Sequence, residues 1–105
     1  MRRTRQALEA NLEKAKTKPA KAIASYELGL FHDNNSRESE AIPYYRQALR
    51  LGLDAGLRVK ALAWLASSLY KTGQPEEAQR CVAQAMRIAD GELLKSLKRL
   101  QKEIG

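Results

Sequence analysis

The chain has 105 residues, including 19 Lys or Arg and 12 Asp or Glu, and its formal net charge is +7. This length allows one domain, and an apolar share of 44% excludes a disordered tail. No uncharged apolar run reaches the roughly 18 residues that a membrane span needs. One cysteine (Cys81) and one histidine (His32) exclude a disulfide framework and a zinc ligand set. We therefore expect a cytoplasmic protein without metal or cofactor.

The net charge lies in the two ends of the chain. Residues 1–21 carry seven bases and two acids, and residues 92–105 carry four bases and two acids. Residues 22–91 carry eight of each sign. The pattern indicates a neutral body with basic flanks. Glu9 and Glu13 follow the basic start, so the apolar core of a signal peptide is missing.

Good helix formers dominate, and Gly, Pro and Asn/Asp clusters separate them. The pattern predicts six helices, near residues 3–16, 19–33, 37–51, 55–71, 75–89 and 92–104. Gly73 suits the end of one helix and Pro75 the start of the next. Asp54 is expected to cap the helix that follows it. Pro43 should bend its helix or delay its start.

The flanking segments have unequal apolar stripes. In the first, Leu8, Leu12 and Ala15 form a thin stripe that either caps the fold or awaits a partner. In the last, a single stripe with spacing i, i+4, i+7 and i+11 predicts a helix that closes the structure. Its residues are Leu93, Leu97, Leu100 and Ile104.

The central helices repeat at an offset of 37 residues, which places residues 22–51 over residues 59–88. Small residues coincide where helices must cross closely, and large aliphatic residues coincide on matching faces. The coincident pairs are Ala24 with Ala61, Leu28 with Leu65, Gly29 with Ala66, Ala41 with Ala78, Ala48 with Ala85, and Leu51 with Ile88. We infer that the same helical hairpin occurs twice in the chain.

These residues resemble the tetratricopeptide repeat family, in the form of a small two-repeat protein of bacterial type. The matching structural positions are Leu28, Gly29, Ala41, Tyr45, Ala48, Leu62, Leu65, Ala66, Leu69, Gly73, Ala78 and Ala85. The departures are Ser25, His32 and Leu53, where the family pattern has a bulky residue, an aromatic residue and a proline. The resemblance implies an all-α, right-handed superhelix of two hairpins at 22–55 and 59–90, with a basic helix at 1–18 and a capping helix at 92–105.

The resemblance also implies a non-catalytic adaptor or scaffold that binds a peptide or helix of another protein. In the family the first helix of each hairpin lines a concave groove. Carried over by position, the groove residues are Ile23, Tyr26, Leu30, Asp33, Asn34, Lys60, Ala63, Ser67, Tyr70 and Lys71. The family's Lys/Asn clamp for a terminal carboxylate is absent, since Tyr26 and Leu30 stand at those positions. Tyr26 and Leu30 are apolar and Lys60 and Lys71 are basic, so the hypothesis for this groove is an acidic–apolar peptide or partner helix. The alternatives are that the groove is merely solvated, or that the partner binds at a terminal face.

Other interpretations stay open at this stage. No catalytic residue is expected, because His32 and the pair Ser67–Ser68 lack partners, and Cys81 is expected to be a buried filler. A lone tryptophan in a helix of a small protein usually packs in the core, so Trp64 is expected to do so, with an exposed interaction anchor as the alternative. The basic N-terminal arm makes nucleic-acid binding the alternative function. A regulatory subunit and self-association, through the N-terminal helix or an unfilled end, are further possibilities.

Overall fold

The computed structural model describes residues 4–105, and these residues form helices without any strand. The start predicted at residue 3 lies outside the described residues. Adjacent helices pack on each other along the chain, and α6 also contacts α4. The helices are α1 (Arg5–Lys14), α2 (Lys18–Asn34), α3 (Glu38–Leu51), α4 (Ala55–Lys71), α5 (Pro75–Ile88) and α6 (Gly91–Ile104).

The hairpin α2–α3 recurs as α4–α5, with each helix boundary shifted by 37 residues. The N-terminal caps recur in the same register. Thr17 Oγ1 accepts a hydrogen bond from the Ala20 N–H at 3.2 Å, and Asp54 Oδ1 accepts one from the Leu57 N–H at 2.9 Å. Side-chain oxygens at these positions satisfy donors that the first helical turn leaves free. The expectation for Asp54 is confirmed.

The turn inside each hairpin also recurs. The Arg37 N–H donates to the His32 carbonyl, and the Gln74 N–H donates to the Leu69 carbonyl, both at 2.8 Å. Each turn needs one left-handed residue, which is Gly73 (φ 82°) in the second hairpin and Ser36 (φ 58°) in the first. A residue with a Cβ pays a steric penalty in this conformation, whereas glycine does not.

The ends of the chain are half units of the same pattern. The last residue of α1, Lys14, lies 37 positions before the last residue of α3, so α1 corresponds to the second helix of a preceding unit. By the same count, α6 corresponds to the first helix of a following unit. Leu8 of α1 is 3% exposed and occupies the position that Tyr45 and Val82 hold in the two hairpins. The N-terminal helix therefore caps the stack.

The C-terminal helix covers the other end, with one correction to its predicted stripe. Leu97 is 2% exposed, and Leu100 and Ile104 pack against the core. Leu93 is 37% exposed, and the neighbouring Leu94 is half-buried instead. In the first turn of α6 the buried stripe therefore contains Leu94 instead of the predicted Leu93. The two positions differ by about 100° of rotation about the helix axis.

Small residues line the crossings inside each hairpin. An added Cβ at Gly29 would lie 2.5 Å from Cε1 of Tyr45, whose side chain is fully buried. The corresponding alanines of the second helices, Ala41 with Ala78 and Ala48 with Ala85, are all 0% exposed. Every structural repeat position named above is buried except Gly73, which lies in the turn. Corresponding residues of the two hairpins therefore have similar surroundings.

Pro43 does not delay the start of its helix. The helix α3 begins at Glu38 and continues through Pro43. The proline cannot donate a hydrogen bond to the Ser39 carbonyl one turn earlier. Both residues are exposed, so water is available to that carbonyl.

Candidate functional site

The exposed side of α4 carries the only tryptophan of the chain. Trp64 is 43% exposed, so the interpretation as a packed core residue is wrong. Lys60, Ser67 and Lys71 lie four residues before, three after and seven after it, which is the spacing of a single helix face. Both lysines are exposed and Ser67 is half-buried. The face combines one large aromatic ring with two cations.

Trp64 meets α2 through Tyr26. The Trp64 side chain lies beside that of Tyr26, and the Tyr26 and Tyr45 ring centroids are 6.1 Å apart. Tyr26 is only 7% exposed, and this burial raises the pKa of its hydroxyl. Its assignment as an open groove residue is therefore corrected, because its ring is part of the core.

The remaining α2 positions of the predicted groove have separate surroundings. Ile23 is 43% exposed, at the position that corresponds to Lys60. Leu30 and Asn34 line a depression of about 290 Å³ beside Leu8 of α1. Asp33 accepts a hydrogen bond from the Tyr45 hydroxyl at 2.9 Å, which commits it to the hairpin.

On α4 the other predicted groove residues extend the Trp64 face. Tyr70 is 43% exposed and Ala63 is half-buried. Lys71 lies 4.0 Å from a carboxylate oxygen of Glu38 on α3. Lys60 makes no ion pair or hydrogen bond with the described residues. The cation at position 60 is therefore available to a partner.

His32 lies inside the first hairpin, with 1% of its surface exposed. Its ring stacks on Tyr44 at 5.4 Å and 9°, and it meets the edge of Phe31. Its Nδ1 accepts a hydrogen bond from Arg37 Nε at 3.2 Å and lies 3.2 Å from Glu40 Oε2. An Nδ1 that accepts from a guanidinium belongs to a neutral imidazole.

The electrostatics of His32 agree with that geometry. Burial lowers its pKa, opposed by Glu40 and reinforced by Arg37. Within residues 4–105, no three His, Cys, Asp or Glu side chains are grouped to hold a metal ion. Burial also raises the pKa of Cys81, which is 7% exposed and free. Both side chains are placed as packing residues.

The basic flanks are partly outside the described residues, since Arg2 and Arg3 of the N-terminal arm precede residue 4. Arg5 pairs with Glu9 at 2.8 Å on the exposed side of α1. Lys95 lies 3.5 Å from Glu92 on α6. Acidic side chains therefore lie beside these bases on the exposed surfaces of α1 and α6.

A stack that repeats one two-helix unit and ends in half units defines a helical-repeat protein. Residues 22–102 match the family model described as the tetratrico peptide repeat, and the chain belongs to this family. The membership indicates a protein–protein interaction module of a typically non-catalytic kind. No curated protein matches the chain. None of the described helices is long and apolar enough to cross a membrane.

The groove predicted by family position omitted Trp64. The positions carried over from the family do not include residue 64, although Trp64 lies off the buried stripe of Leu62, Leu65 and Leu69. Its spacing from Lys60 and Lys71 is the signal that places it on the opposite, exposed face of α4.

Proposed function

We propose that this protein is a non-catalytic adaptor or scaffold that binds an acidic–apolar peptide or helix of a partner protein. Binding takes place on the face of α4 formed by Lys60, Trp64, Ser67, Tyr70 and Lys71, together with exposed apolar surface of α2. The lysines attract acidic residues of the partner, and the aromatic rings contact its apolar residues.

The observation that carries the proposal is the exposure of Trp64 between two cations. Tryptophan is among the residues that most often dominate the energy of protein interfaces. The ring lies beside the buried Tyr26 and is 43% exposed, so a partner can cover a large aromatic surface. Lys60 adds an unpaired positive charge four residues away, and this charge selects acidic partners.

The proposal is tested by selecting peptides from a random displayed library with the full chain. We expect the selected sequences to combine Asp or Glu with aliphatic or aromatic residues. Calorimetric titration of a selected peptide should show that Trp64→Ala weakens binding by about 2 kcal/mol, or roughly 30-fold. Lys60→Glu should weaken it through loss of charge complementarity.

Matched controls lie on α6. Leu93→Ala truncates a side chain of similar exposure, and Lys95→Glu reverses a charge on another face. Both should leave the affinity unchanged. Equal affinity in the Trp64→Ala variant, or an equal loss in the α6 variants, would remove the basis of the proposed site.

Further parts of the proposal concern the setting of this module. We assign its action to the cytoplasm, where a single buried thiol stays reduced. The working division of the chain is two repeats at 22–55 and 59–90, flanked by segments 1–18 and 92–105. Light scattering with the purified chain would measure whether copies of the adaptor also associate with each other.

A further inference from the structure

A second cavity lies where α3, α4 and α5 meet. Its volume is about 490 Å³, within the range of about 300–1,000 Å³ that small-molecule sites occupy. Leu62, which lines it, precedes Trp64 by two residues, or about 200° of helix rotation. The cavity therefore opens on the side of α4 away from the proposed peptide site. Its lining residues are Leu49, Arg58, Leu62, Gln84, Arg87 and Ile88.

The lining pairs aliphatic walls with two guanidinium groups. Leu62 is 4% exposed and forms the buried wall, while Ile88 is 38% exposed near the opening. Arg58 Nη2 donates to the Leu53 carbonyl at 3.1 Å, which fixes its position. Arg87 makes no hydrogen bond or ion pair with residues 4–105, and no carboxylate lines the cavity. The site thus has positive charge without an internal partner.

The positions 37 residues earlier, in α1 and the first hairpin, have a similar composition. Three of the six residues are identical, Arg58 and Ile88 are replaced by a lysine and a leucine, and Leu62 is replaced by a serine. The corresponding residues are Leu12, Lys21, Ser25, Gln47, Arg50 and Leu51. The bases and the glutamine therefore occur in both copies, whereas the apolar wall formed by Leu62 occurs only in the second.

An ion pair bridges α3 and α5 near the cavity, three residues before Leu49 on α3 and seven residues before Gln84 on α5. Arg46 of α3 donates two hydrogen bonds, at 3.0 and 2.8 Å, to the carboxylate of Glu77 on α5. This bridge joins the two helices beside the cavity, and the cavity volume of about 490 Å³ fits a small ligand. The geometry favours a compact ligand.

We propose that this cavity binds a compact aliphatic carboxylate. The carboxylate lies between Arg58 and Arg87, since guanidinium groups recognise carboxylates through charge-assisted hydrogen bonds. The aliphatic part contacts Leu49, Leu62 and Ile88. This site is independent of the peptide-binding face proposed above.

The test uses the full chain with isotope-labelled methyl groups, titrated with sodium octanoate and followed by NMR. We expect saturable shifts of the Leu49, Leu62 and Ile88 methyl signals. Acetate, which lacks the tail, and octylammonium, which reverses the charge, should produce much weaker shifts at the same concentrations. An acetylated Leu–Glu dipeptide tests whether a peptide side chain supplies the same chemistry, and we expect it to bind less tightly than octanoate.

Arg87→Gln should weaken octanoate binding about tenfold, because it removes one charge-assisted contact. The matched control is Arg50→Gln, which makes the same change at the corresponding position of the first hairpin and should leave these signals unchanged. Thermal unfolding checks that both variants fold. Equal effects of the two substitutions, equal binding of octylammonium, or shifts spread over the basic flanks would overturn the proposal. Tighter binding of the dipeptide would overturn the assignment to a small carboxylate.

Discussion

The close contact between Gly29 and Tyr45 gives the sharpest test of the helix crossing in the first hairpin. In a Gly29→Ala variant the new Cβ would lie 2.5 Å from Cε1 and 2.6 Å from Cδ1 of Tyr45. The ring is fully buried and cannot move without disturbing its neighbours. Its hydroxyl also donates to Asp33 at 2.9 Å, so a displaced ring loses this hydrogen bond.

The magnitude follows from three contributions. Overpacking a core costs about 1–3 kcal/mol. Loss of a hydrogen bond to a charged group costs about 1.5–3 kcal/mol. The higher helix propensity of alanine offsets about 1 kcal/mol. Together these contributions predict that Gly29→Ala lowers the free energy of unfolding by about 1.5–5 kcal/mol, measured by urea denaturation followed by circular dichroism.

Two variants make the interpretation specific. Gly56→Ala changes another helical glycine, whose added Cβ would make only an ordinary 3.6 Å contact, and should keep or slightly raise the stability. Gly29→Ala combined with Tyr45→Val copies the pair Ala66 and Val82 of the second hairpin. It should be less destabilised than the sum of the single changes by about 1 kcal/mol or more. A Gly29→Ala variant as stable as the original chain would refute the close contact.

Three further predictions concern stability. Because the pKa of His32 is lowered in the folded protein, the unfolded chain binds more protons, and the free energy of unfolding should fall as the pH drops below about 6.5. In urea titrations between about pH 7 and 5, His32→Phe should flatten this slope. Equal slopes in the two proteins would contradict a neutral buried imidazole. Ser36→Gly should raise the free energy of unfolding by about 1 kcal/mol, because it removes the steric strain of a serine in the left-handed conformation. Gly73→Ser should lower the free energy of unfolding. An unchanged denaturation midpoint in both variants would exclude strain at this turn. Trp64→Ala should cost about 2 kcal/mol in thermal unfolding rather than the 3–5 kcal/mol of a buried ring, and a larger loss would show that the ring is buried in solution.

The repeat architecture could be predicted because its signals are local. Gly29 and Ala41 mark a helix crossing by their size alone, and the 37-residue offset aligns them with Ala66 and Ala78. Asp54 could be identified as a cap because its role depends on the three residues that follow it. These features need no knowledge of distant contacts.

The candidate sites were less accessible to sequence reasoning. The burial of Tyr26 depends on how closely α4 approaches α2, and the exposure of Leu93 depends on the rotation of α6 about its axis. The cavity beside Leu62 depends on the separation of α3 and α5, which Arg46 and Glu77 bridge. None of these distances follows from periodicity.

Because α1 and α6 close the stack as half units, the number of full repeats between them can change while the caps stay the same. Residues 38–74 span one full period, from the first residue of α3 to the residue before α5. Deleting or duplicating this segment joins Arg37 or Gln74 to a residue that already starts a helix of the same kind. Shorter and longer versions could therefore be spliced at that junction without cutting a helix, each still closed by α1 and α6.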